Sequence, residues 1–113
     1  MGRVLRQSEV VAMSVLVTVK LSGDTNVFTK SLKERADEFR EIAGRSQEEG
    51  ALHHQFAVGD GFVLVNDEWE SAGAFEKFFN DPELMAFIGS VGGDPNVAPE
   101  ISIGESVDSP DKF

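Results

Sequence analysis

Two histidines and an aspartate are the residues of this chain with the most to offer chemically. His53 and His54, its only imidazoles, sit side by side in the β-rich run Ala51 to Val58 (ALHHQFAV). Adjacent strand residues point to opposite faces, so the two rings serve different surroundings. A second run, Phe62 to Glu70 (FVLVNDEWE), follows Gly59-Asp60-Gly61. An Asp-Gly between two such runs predicts a hairpin. A two-residue turn at Asp60-Gly61 pairs Gly59 with Phe62 and sets His54 opposite Asp67. A three-residue turn sets His53 opposite Asp67 instead. The first register is preferred, because it places Leu52, His54, Phe56 and Val58 beside Val63, Val65 and Trp69 on one face, beneath the helices. A histidine held by a carboxylate is a general base usable near neutral pH, since the carboxylate fixes the ring tautomer and stabilises the imidazolium. The same pair is also an ordinary way to satisfy a buried polar group, so it leaves a structural role open. Opposite-facing histidines make poor partners for one ion, and no metal is expected.

Trp69, the sole tryptophan, ends the second run just before a helix, where its ring can close one end of a pocket. Phe39, Phe75 and Phe79 supply further walls, although phenylalanines at helical spacing also mark any core-facing helix. An aromatic pocket with one polar handle is the usual make-up of a small-molecule site. Ser31, Ser46 and Ser71 lack the context of a nucleophile elbow, which argues against a serine hydrolase. Gly59-Asp60-Gly61 precedes no helix and is read as a turn, not a phosphate loop. Gly89 to Gly93 leads into a loop and a strand, which fits phosphate binding no better.

Positioning these residues takes a scaffold, and the chain spells one out. Met13 to Leu21 (MSVLVTVKL) alternates in the period of a strand. Ser22-Gly23-Asp24 breaks it, with Asp24 or Thr25 as a helix cap. From Val27 to about Gln47, residues Phe28, Leu32, Ala36, Phe39, Ile42 and Ala43 recur at three- and four-residue steps, predicting one amphipathic helix with Gly50 near its stop. After the hairpin, Ser71 caps a helix carrying Phe75, Phe78 and Phe79. Asp81-Pro82 then restarts helix through Leu84, Met85, Phe87 and Ile88. A loop over Gly92 to Asn96 leads to a last strand, Pro99 to Val107. The order β-α-β-β-α-β predicts an α+β, ferredoxin-like domain: a four-stranded antiparallel sheet with helices on one face.

The 113 residues suffice for one domain, expected over 13–107, with a flexible extension at 1–12 and a polar tail at 108–113. Hydrophobic residues make up 41% of the chain, nine of them Phe, which argues for a packed globule. A net charge of −10 with no basic stripe excludes nucleic acid and anionic membrane as partners. With no cysteine, disulfides, thiolate metal sites and a Cys nucleophile are excluded, and a cytoplasmic location fits. No apolar run approaches the roughly 20 residues of a membrane span. Leu16, Phe62 and Leu64 lie out of phase with the core-facing valines, so the helix-free sheet face is partly apolar. A homodimer formed through that face is the simplest way to cover it.

Gly50-Ala51-Leu52-His53-His54-Gln55-Phe56, Phe62 through Ser71, then Ala74-Phe75 and Phe79, together resemble the antibiotic biosynthesis monooxygenase type of dimeric α/β barrel. In that family an acidic-x-Trp-x-Ser strand end leads into the second helix, as Asp67, Trp69 and Ser71 do here. The resemblance spans Met13 to about Val107. It implies a pocket between sheet and helices in each subunit. It also implies, for some members, oxidation of phenolic or quinol-like substrates by dioxygen without a cofactor. Carried onto this chain, His54 is the base, Asp67 its orienter and Trp69 a wall. The haem-degrading members share the tryptophan but use a histidine where this chain has Phe79, and an Asn on the first strand that is missing between Met13 and Leu21. Haem is therefore not implied. With no Tyr in the chain, His54 occupies the place of a pocket tyrosine.

The leading expectation is a cofactor-independent monooxygenase acting on a small aromatic substrate. Its rivals are a non-catalytic dimeric module that binds a small ligand or a partner protein, and a related cyclase or isomerase using the same base without oxygen.

Overall fold

The computed structural model describes residues 14–113, so the expected extension at 1–12 lies outside the described residues. The elements run β1 (Val15–Ser22), α1 (Thr25–Glu34), α2 (Ala36–Glu48), β2 (Ala51–Val58), β3 (Phe62–Trp69), α3 (Ala72–Phe79), α4 (Pro82–Ser90) and β4 (Glu100–Glu105). The strands form one sheet in the order β2-β3-β1-β4, every neighbouring pair antiparallel. This is the ferredoxin-like α+β fold read from the sequence.

Alternation decides which face is core. On β1, Val15, Val17 and Val19 are buried while Leu16 between them is 53% exposed. Opposite them on β3 stand Trp69, Asp67 and Val65 in register. Phe75 and Phe78 of α3 and Leu84 of α4 pack onto the same valines and Trp69. Helix starts follow local chemistry. The Asp24 carboxylate accepts from the backbone N–H groups of Asn26 and Val27, Ser71 Oγ from Ala74, and Asp81 from Glu83, with Pro82 at the first turn of α4.

The sequence departs from the structure at three places. The single helix expected from Val27 to about Gln47 is two, α1 and α2, broken at Arg35 (φ −121°, ψ 31°). Eleven residues of straight helix rise about 16 Å, yet the Phe28 and Phe39 rings meet at 6.0 Å. The break folds the two helices toward one another. Ser31 Oγ donates back to the Val27 carbonyl at 2.7 Å, a bond that bends helices. The Arg35 guanidinium ties the bend to α4, donating to Ser90 Oγ and lying 4.8 Å from the Phe87 ring centre.

The second departure is at Leu52, expected on the helix-facing side but 56% exposed. A bulge removes it from the ladder: Ala51 faces Trp69, whereas His53 faces Glu68. One extra residue inverts the parity, so Ala51 and His54, three apart, share the core face. The small Ala51 leaves room for the indole. Thirdly, β4 spans only Glu100–Glu105 where Pro99 to Val107 is expected, its ladder with β1 running from Val15 to Lys20.

Gly23 closes the β1 end of the fold. Its N–H donates to the Gly61 carbonyl, and the next N–H, that of Asp24, donates to the Gly92 carbonyl. A β-carbon on Gly23 would overlap that same Gly92 carbonyl, so only glycine fits.

Candidate active site

The hairpin adopts the preferred register. Gly59 N–H donates to the Phe62 carbonyl, and His54 stands opposite Asp67. Cross-strand neighbours on one face lie within side-chain reach, and His54 Nδ1 is 2.8 Å from Asp67 Oδ1. The other carboxylate oxygen, Oδ2, accepts from the Trp69 indole N–H at 3.0 Å. Asp67 is therefore clamped from both sides. Residues 67 and 69 share the core face of β3, two apart, which brings indole and carboxylate together.

Bonding fixes the tautomer. A carboxylate only accepts, so in the neutral ring Nδ1 of His54 carries the hydrogen and Nε2 the lone pair. The Asp67 side chain is only 8% exposed whereas that of His54 is 37% exposed. The pair thus has a buried end that orients and an open end free to take a proton. His53, on the opposite face, pairs across the ladder with Glu68 and has no part in this arrangement.

His54 and Asp67 form part of the wall of a cavity of about 120 Å³ between sheet and helices. All six residues singled out from sequence line it: His54, Asp67, Trp69, Phe39, Phe75 and Phe79. They fall into two aromatic groups. Trp69 meets Phe75 at 5.7 Å and Phe78 at 5.4 Å, and Phe75 stacks on Phe79 at 5.3 Å. Phe39 belongs to the other group, edge-to-face with Phe28, Phe56 and Phe87 at 5.1–6.0 Å. The core is split accordingly into two clusters, and the cavity touches members of both.

Phe28, Phe56, Phe78 and Phe87 line the cavity without having been singled out as pocket residues. Phe56 had a signal: it lies two residues beyond His54 on the same face, and its ring meets the imidazole at 4.6 Å. Phe28 and Phe87 carried only the helical periodicity of any core residue. Among the described residues no Lys or Arg lines the cavity, and its two carboxylates are Asp67 and Asp24. Nor do three His, Asp or Glu side chains gather among those residues as ligands for a metal ion.

No family model and no curated protein matches the sequence. Solved structures do resemble the fold. A cofactor-independent oxygenase of Streptomyces nogalater, SnoaB, superposes with a TM-score of 0.58 at 11% identity, over 88% of this chain and 99% of that one. The monooxygenase ActVA-Orf6 of Streptomyces coelicolor, solved with the ligand nanaomycin D, gives 0.62 at 19% identity, over 87% and 91%. A dimeric ferredoxin-like protein from an uncultured marine organism gives 0.57 at 16% identity, over 89% and 94%. The resemblance carried by residues 50–79 is thereby borne out at the level of the fold. At these identities the likeness is one of architecture, and no helix among the described residues is long and apolar enough to cross a membrane.

Proposed function

We propose that this chain is a cofactor-independent monooxygenase acting on a small phenol or quinol-like aromatic. The observation that carries the reading is the Trp69–Asp67–His54 chain of hydrogen bonds, which ends on a free imidazole lone pair at the wall of an aromatic cavity. Two neighbours of the same fold, described as a cofactor-independent oxygenase and a monooxygenase, support it.

The chemistry asked of the protein is modest. A phenol bound with its hydroxyl toward His54 gives its proton to Nε2, and the Asp67 carboxylate stabilises the resulting imidazolium. The phenolate is a far better electron donor than the phenol and reduces dioxygen directly. One oxygen atom bonds to a ring carbon. Breaking the O–O bond then leaves that oxygen as a quinone carbonyl and releases the other as water, with protons from the ring carbon and from His54. In sum, phenol and dioxygen yield quinone and water. Exclusion of water by the Phe and Trp walls protects the intermediates from side reactions.

The working unit is proposed to be a homodimer joined through the helix-free sheet face. Leu16 is exposed there near one end of β1, and half-buried Leu64 and Phe62 lie toward its other end, opposite Lys20 and Ser22. On the other face of the edge strand Ile101 and Ile103 are 44% and 36% exposed. A second copy would cover the Leu16 patch. A neighbour described as dimeric supports this assembly.

Oxygen-electrode traces on a panel of phenols and quinols, with labelled dioxygen and mass spectrometry of the product, test the reading. One labelled atom should enter the product, and His54→Ala should slow uptake by about a hundredfold or more while the circular dichroism is kept. Binding without oxygen uptake would make the chain a ligand-binding module. Conversion without oxygen would make it a cyclase or isomerase. If His54→Ala unfolds the chain, the His–Asp pair is a structural element.

A further inference from the structure

We propose that the cavity selects uncharged phenols of a single ring and rejects both fused polycyclic phenols and aromatic carboxylates. This rests on the oxygenase reading above and narrows its substrate class.

Size comes first. An engineered protein cavity of about 150 Å³ lined by apolar side chains accommodates benzene, and the space here is about 120 Å³. That is room for no more than one six-membered ring, whose hydroxyl would project toward the open His54 side. A fused second ring needs the walls to retreat, and both walls are braced from behind. Phe28, Phe39 and Phe56 touch one another edge-to-face at 5.0–6.0 Å. On the other side Phe75 is held between Trp69 and Phe79. Trp69 is fully buried and anchored to Asp67, so it cannot swing away. Moving any ring breaks contacts with at least one other, and close-packed interiors resist overfilling.

Charge comes second. Among the described residues no cation lines the cavity, while Asp24 and Asp67 both do. A substrate carboxylate would lose its water, gain no Lys or Arg counter-ion and lie beside the Asp67 carboxylate, which disfavours its binding. The single base also suits a ligand with one acidic hydroxyl.

Equilibrium calorimetry without oxygen tests the proposal independently of turnover. The ligands are phenol, 4-methylphenol, 1-naphthol, 2-anthrol and 4-hydroxybenzoate, followed by oxygen uptake with each. Ordinary hydrophobic transfer favours the larger rings, so the inverted order is diagnostic. Phenol and 4-methylphenol should bind at least about tenfold more tightly than the other three, a discrimination within the reach of one packed pocket. Phe79→Ala, which removes a half-buried ring from one wall, should bring 1-naphthol to the affinity of phenol. Naphthol, anthrol or hydroxybenzoate binding as tightly as phenol to the wild type would overturn the proposal and leave the oxygenase reading standing. No gain of naphthol binding in Phe79→Ala would overturn it too. The expected order without oxygen uptake would support the selection and sink the oxygenase reading. No binding by any of the five would overturn both.

Discussion

Replacing Asp67 with Asn exchanges one oxygen for an amide nitrogen and reverses a hydrogen bond in the candidate site. Both carboxylate oxygens are committed, Oδ1 to His54 Nδ1 at 2.8 Å and Oδ2 to the Trp69 indole N–H at 3.0 Å. The indole N–H can only donate, so the amide oxygen of Asn must stay with Trp69. Its NH₂ group then faces His54 Nδ1, which must accept. The ring hydrogen moves to Nε2, and the lone pair proposed to act as base is lost. With the side chain 8% exposed, there is little room for another arrangement. General-base catalysis contributes about 10²–10⁴ in rate, so the barrier should rise by about 3–5 kcal/mol at 1.36 kcal/mol per tenfold. Stability suffers less. Two hydrogen bonds to a carboxylate become neutral ones at a loss of about 1 kcal/mol each, which lowers the melting temperature by about 10 °C for a domain of this size. Oxygen uptake measures the rate, and nitrogen-15 NMR reads the tautomer directly. With two histidines in the chain, His53→Gln leaves a single imidazole to assign. An Asp67→Asn enzyme within about threefold of the wild-type rate, or a His54 ring still protonated on Nδ1, would refute the reasoning.

Three further outcomes are expected. Trp69→Phe removes the indole donor and strands Asp67 Oδ2 in a buried site, so urea unfolding followed by circular dichroism should show a loss of about 2–4 kcal/mol; a loss below about 1 kcal/mol would mean that water reaches that oxygen. Leu16→Glu places a charge on the exposed start of β1's helix-free face, and analytical ultracentrifugation should then find monomer where the wild type is expected to sediment as a dimer, with unchanged circular dichroism. Hydrogen bonds from Arg35 hold the exposed Glu38 carboxyl below its ordinary pKa. A lowered folded-state value makes this contribution fully present above the ordinary glutamate range and lost as pH falls through the lowered one, so Glu38→Gln should flatten that part of the acid dependence of the unfolding midpoint.

Much of the fold is written in short-range pattern. Alternation over β1 and β3, the two-residue turn at Asp60-Gly61 and the caps at Asp24, Ser71 and Asp81 each depend on residues within a few positions of one another, so they can be read without a partner surface. The His54–Asp67 pair belongs with them, because a hairpin register follows from its turn and carries every cross-strand neighbour with it. The break at Arg35 and the bulge at Leu52 do not. Helical periodicity runs on through residue 35, and the local Ser31 bond to the Val27 carbonyl does not by itself distinguish a bent helix from two helices. What decides is a long-range demand: Phe28 and Phe39 must meet Phe56 and Phe87 in one cluster, with Arg35 tied to Ser90 and Phe87. At β2 the strand pattern alone points Leu52 inward, and it is the buried Trp69 indole, set on another strand, that takes the room and leaves space only for Ala51.

The sequence by itself therefore determined the alternation of strands with helical stretches, the core face of β1 and β3 and the meeting of one histidine with one carboxylate. Tertiary structure decided that the indole N–H takes the second carboxylate oxygen, which clamps Asp67 from both sides. It also decided that aromatic rings from α1, α2, β2, α3 and α4 line one cavity of about 120 Å³. Spacing along the chain encodes which face a side chain takes, whereas the size of a cavity depends on how several such faces fill the volume between them.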